Sequence, residues 1–198
     1  MTERERGAKD QRTRRTRGLL HEALSSLIHE KSYDAISVRD ILTRASVGRS
    51  TFYMHFDDKD DLLVASLREV LGRVESAELP STGGPYERII GFSLPVLEHI
   101  CQHRGTDPAS GVARKHAVVH EHLERVLADW IANGLRKDAQ RRGRTSDPVA
   151  SDLLARYLAS TFILVLGWWL EGRTPMLPRE ADGLFRSLAV PTLIATWR

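Results

Sequence analysis

A single cysteine, Cys101, in 198 residues excludes an internal disulfide and suits a reducing compartment. Long hydrophobic runs are also scarce. The longest candidate, Leu158 to Leu170, holds thirteen residues, including Ser160, Thr161 and Gly167, short of the roughly 20 that a membrane span needs. The N-terminus, MTERERGAKDQRTRR, lacks the apolar stretch of a secretory signal, so the expectation is a cytoplasmic protein with no membrane partner. A Gly-rich phosphate loop, a G-x-S-x-G elbow and an H-E-x-x-H pair are all missing, and HEH at 120–122 has the wrong spacing. No enzyme activity and no cofactor are expected.

Net charge is small as well, +3 from 29 basic and 26 acidic residues. Its placement says more. Residues 1–17 carry seven basic and three acidic side chains, 7 − 3 = +4, so the remaining 181 residues sum to −1. A basic segment ahead of a nearly neutral body suits a chain that touches a polyanion at one end, and a solvated tail is the plainer alternative. The expected arm is flexible and spans 1–12.

What the sequence does contain is helical periodicity throughout, with no alternating run that would mark a strand. Leu19, Leu20, Ala23, Leu24, Leu27 and Ile28 form one stripe, ending near His29–Lys31. Ser37-Val38-Arg39-Asp40 has the form of a capping box and starts a short helix; a third runs from about Gly48 to Met54. Leu62, Leu63, Leu67, Val70, Leu71 and Val74 extend a fourth. LPSTGGPYE, at 79–87, is the best linker candidate. Longer helices are predicted over 86–103, 116–140, 147–171 and 178–197, divided by breaker-rich stretches. The fold class is therefore all-α: a compact N-terminal bundle of short helices followed by a larger C-terminal bundle of long ones.

The stretch ASVGRSTFYMHFDDKDDL, residues 45–62, mixes buried-type rings with varied hydrogen-bonding tips. Two short helices joined by Ala45-Ser46-Val47 have the dimensions of a helix-turn-helix, whose second helix lies in the DNA major groove. Val47, Phe52 and Phe56 would pin that helix from behind, leaving Arg49, Ser50, Tyr53 and Met54 outward. Arg49 suits a bidentate contact to a guanine edge, and Tyr53 a thymine methyl or a phosphate. His55 and Lys59 stand where phosphate contacts would set the register, and Arg14 and Arg15 of the basic segment join them. The plainer alternatives are a half-buried Tyr53 with a capped hydroxyl and a His55 that is merely polar surface.

These residues resemble a known family. SVRDILTRASVGRSTFYMHFDDKDDLL looks like the DNA-binding motif of TetR-family bacterial transcriptional regulators, and LLHEALSSLIHEKSYDAISV resembles that family's first helix. The resemblance spans about 13–73 and is carried by F-Y-x-H-F-x-x-K-x-x-L. It implies DNA contacts at Ser37 and Arg39, at Arg49, Ser50, Thr51, Tyr53 and His55, and at Lys59. Ser46 departs from the pattern, where the family often has glycine; a positive φ there would cost about 1 kcal/mol.

YLASTFILVLGWWLEGRTPMLPREADGLF, 157–185, resembles a C-terminal region of some TetR-like regulators. That resemblance implies a homodimer formed by the last two long helices, with Phe162, Leu166, Trp168 and Phe185 as interface candidates. A central buried helix of a monomeric bundle is the alternative. It also implies an effector cavity, for which Phe92, Leu97, Cys101, His116, His120, Trp130, Phe162 and Trp169 are candidates, each equally readable as plain core. His99/His103 and His116/His120 sit four apart, but neither pair has a third ligand, and no metal is expected. The function expected is a sequence-specific transcriptional regulator: a repressor released from a palindromic operator on double-stranded DNA by an unknown small-molecule effector. The rivals are a protein-interaction module on the same fold and a DNA-binding regulator without an effector.

Overall fold

The computed structural model describes residues 3–76, 86–103, 117–143, 147–171 and 176–197. Every regular element among them is helical. The chain divides into two compact units, Met1–Ser66 and Leu67–Arg198. The sequence pattern places the boundary after residue 73; the division falls earlier, inside a continuous helix.

The first unit comprises α1 (Glu3–Glu30), a 3₁₀ turn (Tyr33–Ala35), α2 (Val38–Ala45), α3 (Arg49–Tyr53) and the start of α4 (Lys59–Ser76). Helix α1 begins at Glu3, so most of the segment expected as a flexible arm is helical backbone. Nothing in GAKDQRTRRTRG breaks a helix except two glycines, each costing only about 1 kcal/mol. The apolar stripe is narrower than its periodicity suggests: Leu20, Ala23, Leu24 and Leu27 are buried, whereas Leu19 is exposed. Ile36, Ile41, Phe52, Phe56 and Leu62 join them among the buried apolar side chains of the first unit's core.

The second unit adds α5 (Glu87–Ile90), α6 (Ser93–His103), α7 (Ala117–Arg141), α8 (Pro148–Leu170) and α9 (Pro178–Thr196) to the rest of α4. The expected helix over 86–103 is broken at Gly91-Phe92. Pro95 explains the break. Inside one continuous helix it would forfeit a hydrogen bond to Gly91, but as the third residue of α6 its missing N–H has no partner to lose. Asp147 caps α8 by accepting from Val149 N at 2.9 Å, and Pro148 and Pro178 occupy first helical positions, where proline is favoured.

An aromatic cluster fills the middle of this unit. Phe92 stands edge-on to Phe162 at 5.1 Å and to Trp130 at 5.3 Å, and Phe162 stands edge-on to Phe185 at 5.3 Å. This geometry corrects several expectations. Phe162, Leu166 and Phe185 are not surface residues: they are buried in the core of the second unit, satisfied by ring-on-ring and aliphatic packing. Of the interface candidates only Trp168 is exposed. Of the residues expected at an effector cavity, whose role burial alone does not decide, Phe92, Leu97 and Phe162 are buried, Trp169 is buried with its indole N–H donating to the Met176 carbonyl at 2.8 Å, and Cys101 is exposed. His120 is half-buried, and burial pushes its pKa below the ordinary histidine value. His116 lies outside the described residues, as does the side chain of His103.

Beneath the cluster, a polar network ties α5 and α6 to α9. The buried Ser93 hydroxyl lies between the Ile90 carbonyl and the Asp182 carboxylate. Arg186 donates to Asp182 at 2.7 Å and, through both terminal nitrogens, to Glu87 at 2.7 and 2.9 Å. By length and composition α8 would reach across a bilayer, contrary to the count of apolar runs; its buried stripe packs inside the second unit, and Arg156 interrupts the other face.

Candidate nucleic-acid interface

Helix α2 starts where the capping box places it. Asp40 N donates to the Ser37 hydroxyl at 3.2 Å, and Asp40 Oδ2 accepts from Ser37 N at 2.8 Å. Lys31 Nζ reaches the same carboxylate at 2.9 Å. These donors, the Ser37 amide foremost and the lysine next, hold the Asp40 carboxyl well below the usual carboxylate range. Arg44 closes the other end of α2 onto α1, paired through both terminal nitrogens with Glu30 at 2.8 and 2.7 Å.

The turn into α3 depends on Ser46, whose φ of 53° and ψ of 41° lie in the left-handed region. Val47 N donates to Leu42 O at 3.1 Å and Ser46 N to Thr43 O at 3.4 Å, the two bonds of a Schellman closure. The departure from glycine noted in the sequence therefore falls on a position that does need positive φ.

Helix α3 has one buried edge and one open edge. Phe52 and Phe56 are buried, with ring centroids 5.9 Å apart, and His21 of α1 packs against Phe56 at 5.7 Å. On the other edge Arg49, Ser50 and Tyr53 are exposed, Tyr53 by 48% and the adjoining Met54 by 73%. The Arg49 guanidinium lies over the Tyr53 ring at 5.8 Å. Thr51 and His55 are half-buried at the margins, and Ser37, Arg39, Arg14 and Arg15 are exposed. The guanidinium of Arg17, also exposed, covers the Phe56 ring at 5.1 Å; no sequence signal singles it out.

Lys59 is placed differently from the expectation. Its ammonium donates to Tyr33 O and Ile36 O, both at 3.0 Å, and sits over the Tyr33 ring at 4.4 Å. Two of its three N–H donors are thus committed to the backbone ahead of α2, leaving one for a phosphate. Next to it, the Tyr33 hydroxyl donates to Asp60 at 2.5 Å, and burial, followed by that carboxylate, raises the phenol's pKa far above the ordinary tyrosine value. Lys59 and Asp60 therefore lock the start of α4 onto the connection between α1 and α2.

An exposed row of Arg49, Ser50, Tyr53 and Met54 on a short helix, held by two buried rings, can enter a groove and read hydrogen-bonding edges. The comparisons point the same way. Residues 20–66 match the family model for bacterial regulatory proteins of the tetR family. The fold resembles a TetR transcriptional regulator from Streptococcus agalactiae 2603V, 24% identical with a TM-score of 0.55, covering 92% of this chain and 97% of that one. It also resembles RolR in complex with resorcinol, 21% identical with a TM-score of 0.56, covering 92% and 89% of the two chains. A third is a TetR transcriptional regulator from Rhodococcus sp. RHA1, 17% identical with a TM-score of 0.55, covering 94% and 98%. No curated protein matches the sequence significantly.

Proposed function

We propose that this chain, whose residues 20–66 match the model for the tetR family of bacterial regulatory proteins, is a DNA-binding transcriptional regulator of that family and an effector-controlled repressor. As a homodimer in the cytoplasm it holds a palindromic operator, and a small molecule releases it. The observation that carries the DNA half of this reading is the two-edged helix α3, with Phe52 and Phe56 buried while Arg49 and Tyr53 stand exposed. Arg49 and Tyr53 read base edges; Ser37, Arg39, Ser50, Thr51 and His55 hold backbone phosphates; Arg14 and Arg15 on α1 add non-specific attraction. Lys59 contributes mainly by fixing the position of α2.

Dimerisation is supported by apolar side chains that the second unit leaves uncovered. Val149, Leu153, Tyr157, Leu164 and Trp168 of α8, with Leu184 and Leu188 of α9, are exposed. An apolar display of this size on two helices marks an association surface. A two-fold pair would present two α3 helices to successive major grooves, as a palindrome requires. The effector half is supported by likeness to RolR, whose structure holds resorcinol. It also accounts for the presence of the second unit, because a ligand that favours the DNA-incompetent state lowers operator affinity by its differential binding.

A gel shift with the DNA flanking the protein's own coding region tests the reading. A specific complex that Arg49→Ala weakens is expected. Binding that is micromolar or weaker and equal for every duplex at moderate salt would exclude it.

A further inference from the structure

The second unit carries an open groove of about 620 Å³ lined by α4, α7 and the start of α8. That volume lies within the range, roughly 300–1,000 Å³, in which small organic ligands are held. Its aromatic wall is Trp130, whose indole is fixed from behind by the edge-on Phe92 ring at 5.3 Å. Leu71 and Val126, both buried, add apolar lining. On α4 the groove is lined by Gly72, where an added Cβ would meet nothing within 4 Å. The missing side chain leaves space that no protein atom uses.

The charges lining the groove are not balanced in place. Of its carboxylates, Asp152 accepts from Arg156 at 2.8 Å, and Asp129 also stabilises the charge on Arg156. Asp152 is thus paired with a cation that does not line the groove, and Asp129 is the one lining carboxylate set against the two lining arginines. Neither arginine is paired in this way. Arg136 donates to the neutral Asn133 side chain at 2.5 Å, and among the described residues neither Arg68 nor Arg136 has a carboxylate partner. Two guanidiniums beside a flat indole suit a ligand with an aromatic body and one negative charge, which the planar guanidinium binds in a forked geometry.

We propose that this groove binds a small aromatic anion, its ring on Trp130 and its carboxylate or phenolate at Arg68 and Arg136. Its regulatory meaning rests on the effector reading above; its chemistry does not. The test uses the full-length protein and two probes of one shape, naphthalene-2-carboxylate and the uncharged 2-naphthamide, followed by tryptophan fluorescence and titration calorimetry. The carboxylate is expected to bind at least about tenfold more tightly than the amide. Arg68→Gln and Arg136→Gln, at positions that the fold tolerates, should each weaken the carboxylate about five- to tenfold and leave the amide unchanged. Gly72→Leu, which fills the groove, should weaken both probes. Equal affinity for the two probes, an unchanged carboxylate affinity in both arginine variants, or no binding of either probe at millimolar concentration would overturn the proposal. A parallel operator-binding assay separates the two readings. Charge-selective probe binding without release of DNA upholds the groove and removes the effector role, while release by the carboxylate alone supports both.

Discussion

At the scale of single residues, two cations on neighbouring helices have opposite jobs. Arg49 is exposed, and its only described contact is with the Tyr53 ring. Lys59 points inward and satisfies two backbone carbonyls. Arg49→Ala should leave the stability of the fold within about 0.5 kcal/mol of the parent while losing about 1–3 kcal/mol of discrimination at one operator base pair. Lys59→Met should do the reverse: it leaves the Tyr33 and Ile36 carbonyls without a donor, costing about 1–2 kcal/mol of stability. Urea denaturation beside competition binding distinguishes the two, and a large loss of stability in Arg49→Ala would contradict the assignment. Ser46 offers a further residue-level test. Its left-handed backbone disfavours any Cβ, and a β-branched one most. Ser46→Val should cost about 1–2 kcal/mol. Ser46→Gly should be close to neutral, because relief of strain is offset by greater freedom of the unfolded chain.

At the scale of elements, the start of α2 makes the first unit sensitive to acid. The Asp40 carboxyl is depressed in the folded protein by the Ser37 amide and Lys31, so the ionised form contributes stability above the ordinary carboxylate pKa of about 4. That contribution disappears as pH falls through the depressed folded value. Thermal melts of the parent and Asp40→Asn should therefore differ at neutral pH and converge in strong acid; a gap that persists undiminished in acid would argue against the cap. In the second unit the network around Arg186 binds α5 and α6 to α9. Arg186→Met leaves the Asp182 and Glu87 carboxylates facing an apolar side chain and should cost about 2–3 kcal/mol, less than a fully buried pair because water still reaches the site. Glu87→Gln should cost about 1 kcal/mol, since Asp182 still meets the guanidinium. A denaturant series on both variants and the double variant measures the coupling.

Elements also show what the sequence could and could not reveal. The capping box, the turn and both buried phenylalanines of the DNA-binding unit were legible, because each is a local pattern with one physical solution. Burial along α8 was not. Phe162-Ile163-Leu164-Val165-Leu166 is apolar around the whole helix, so periodicity carries no information about which face meets α7 and α9. Phe162, Val165 and Leu166 turn inward, while Leu164 is 70% exposed. Ring-rich positions suggest cavity lining for a similar reason: composition does not tell a ring that awaits a ligand from one that packs on another ring. The hidden role of Lys59 has a different origin, since its partners are main-chain carbonyls 23 and 26 residues away, invisible to any side-chain pattern.

At the scale of the whole molecule, the apolar residues of α8 and α9 divide into those buried in the second unit and those exposed on it. The division makes a sharp prediction. Phe162→Ala removes a fully buried ring that touches Phe92 and Phe185, and should destabilise the subunit by about 3–5 kcal/mol. Leu164→Glu alters a side chain that already faces solvent in one subunit, so a lone subunit should keep its melting temperature within a few degrees. In a dimer built on this face, the same glutamate would be forced beside its two-fold mate in an apolar seam, where burying like charges cannot be compensated. Sedimentation velocity should then show Leu164→Glu as a folded monomer where the parent sediments as a dimer. Operator affinity should fall along with it, because one α3 can fill only one half-site and the two half-sites lie roughly 34 Å apart. If Leu164→Glu remained a dimer with full operator affinity, the seam would have to lie elsewhere on the protein; if it unfolded, the partition between core and interface on α8 would be wrong.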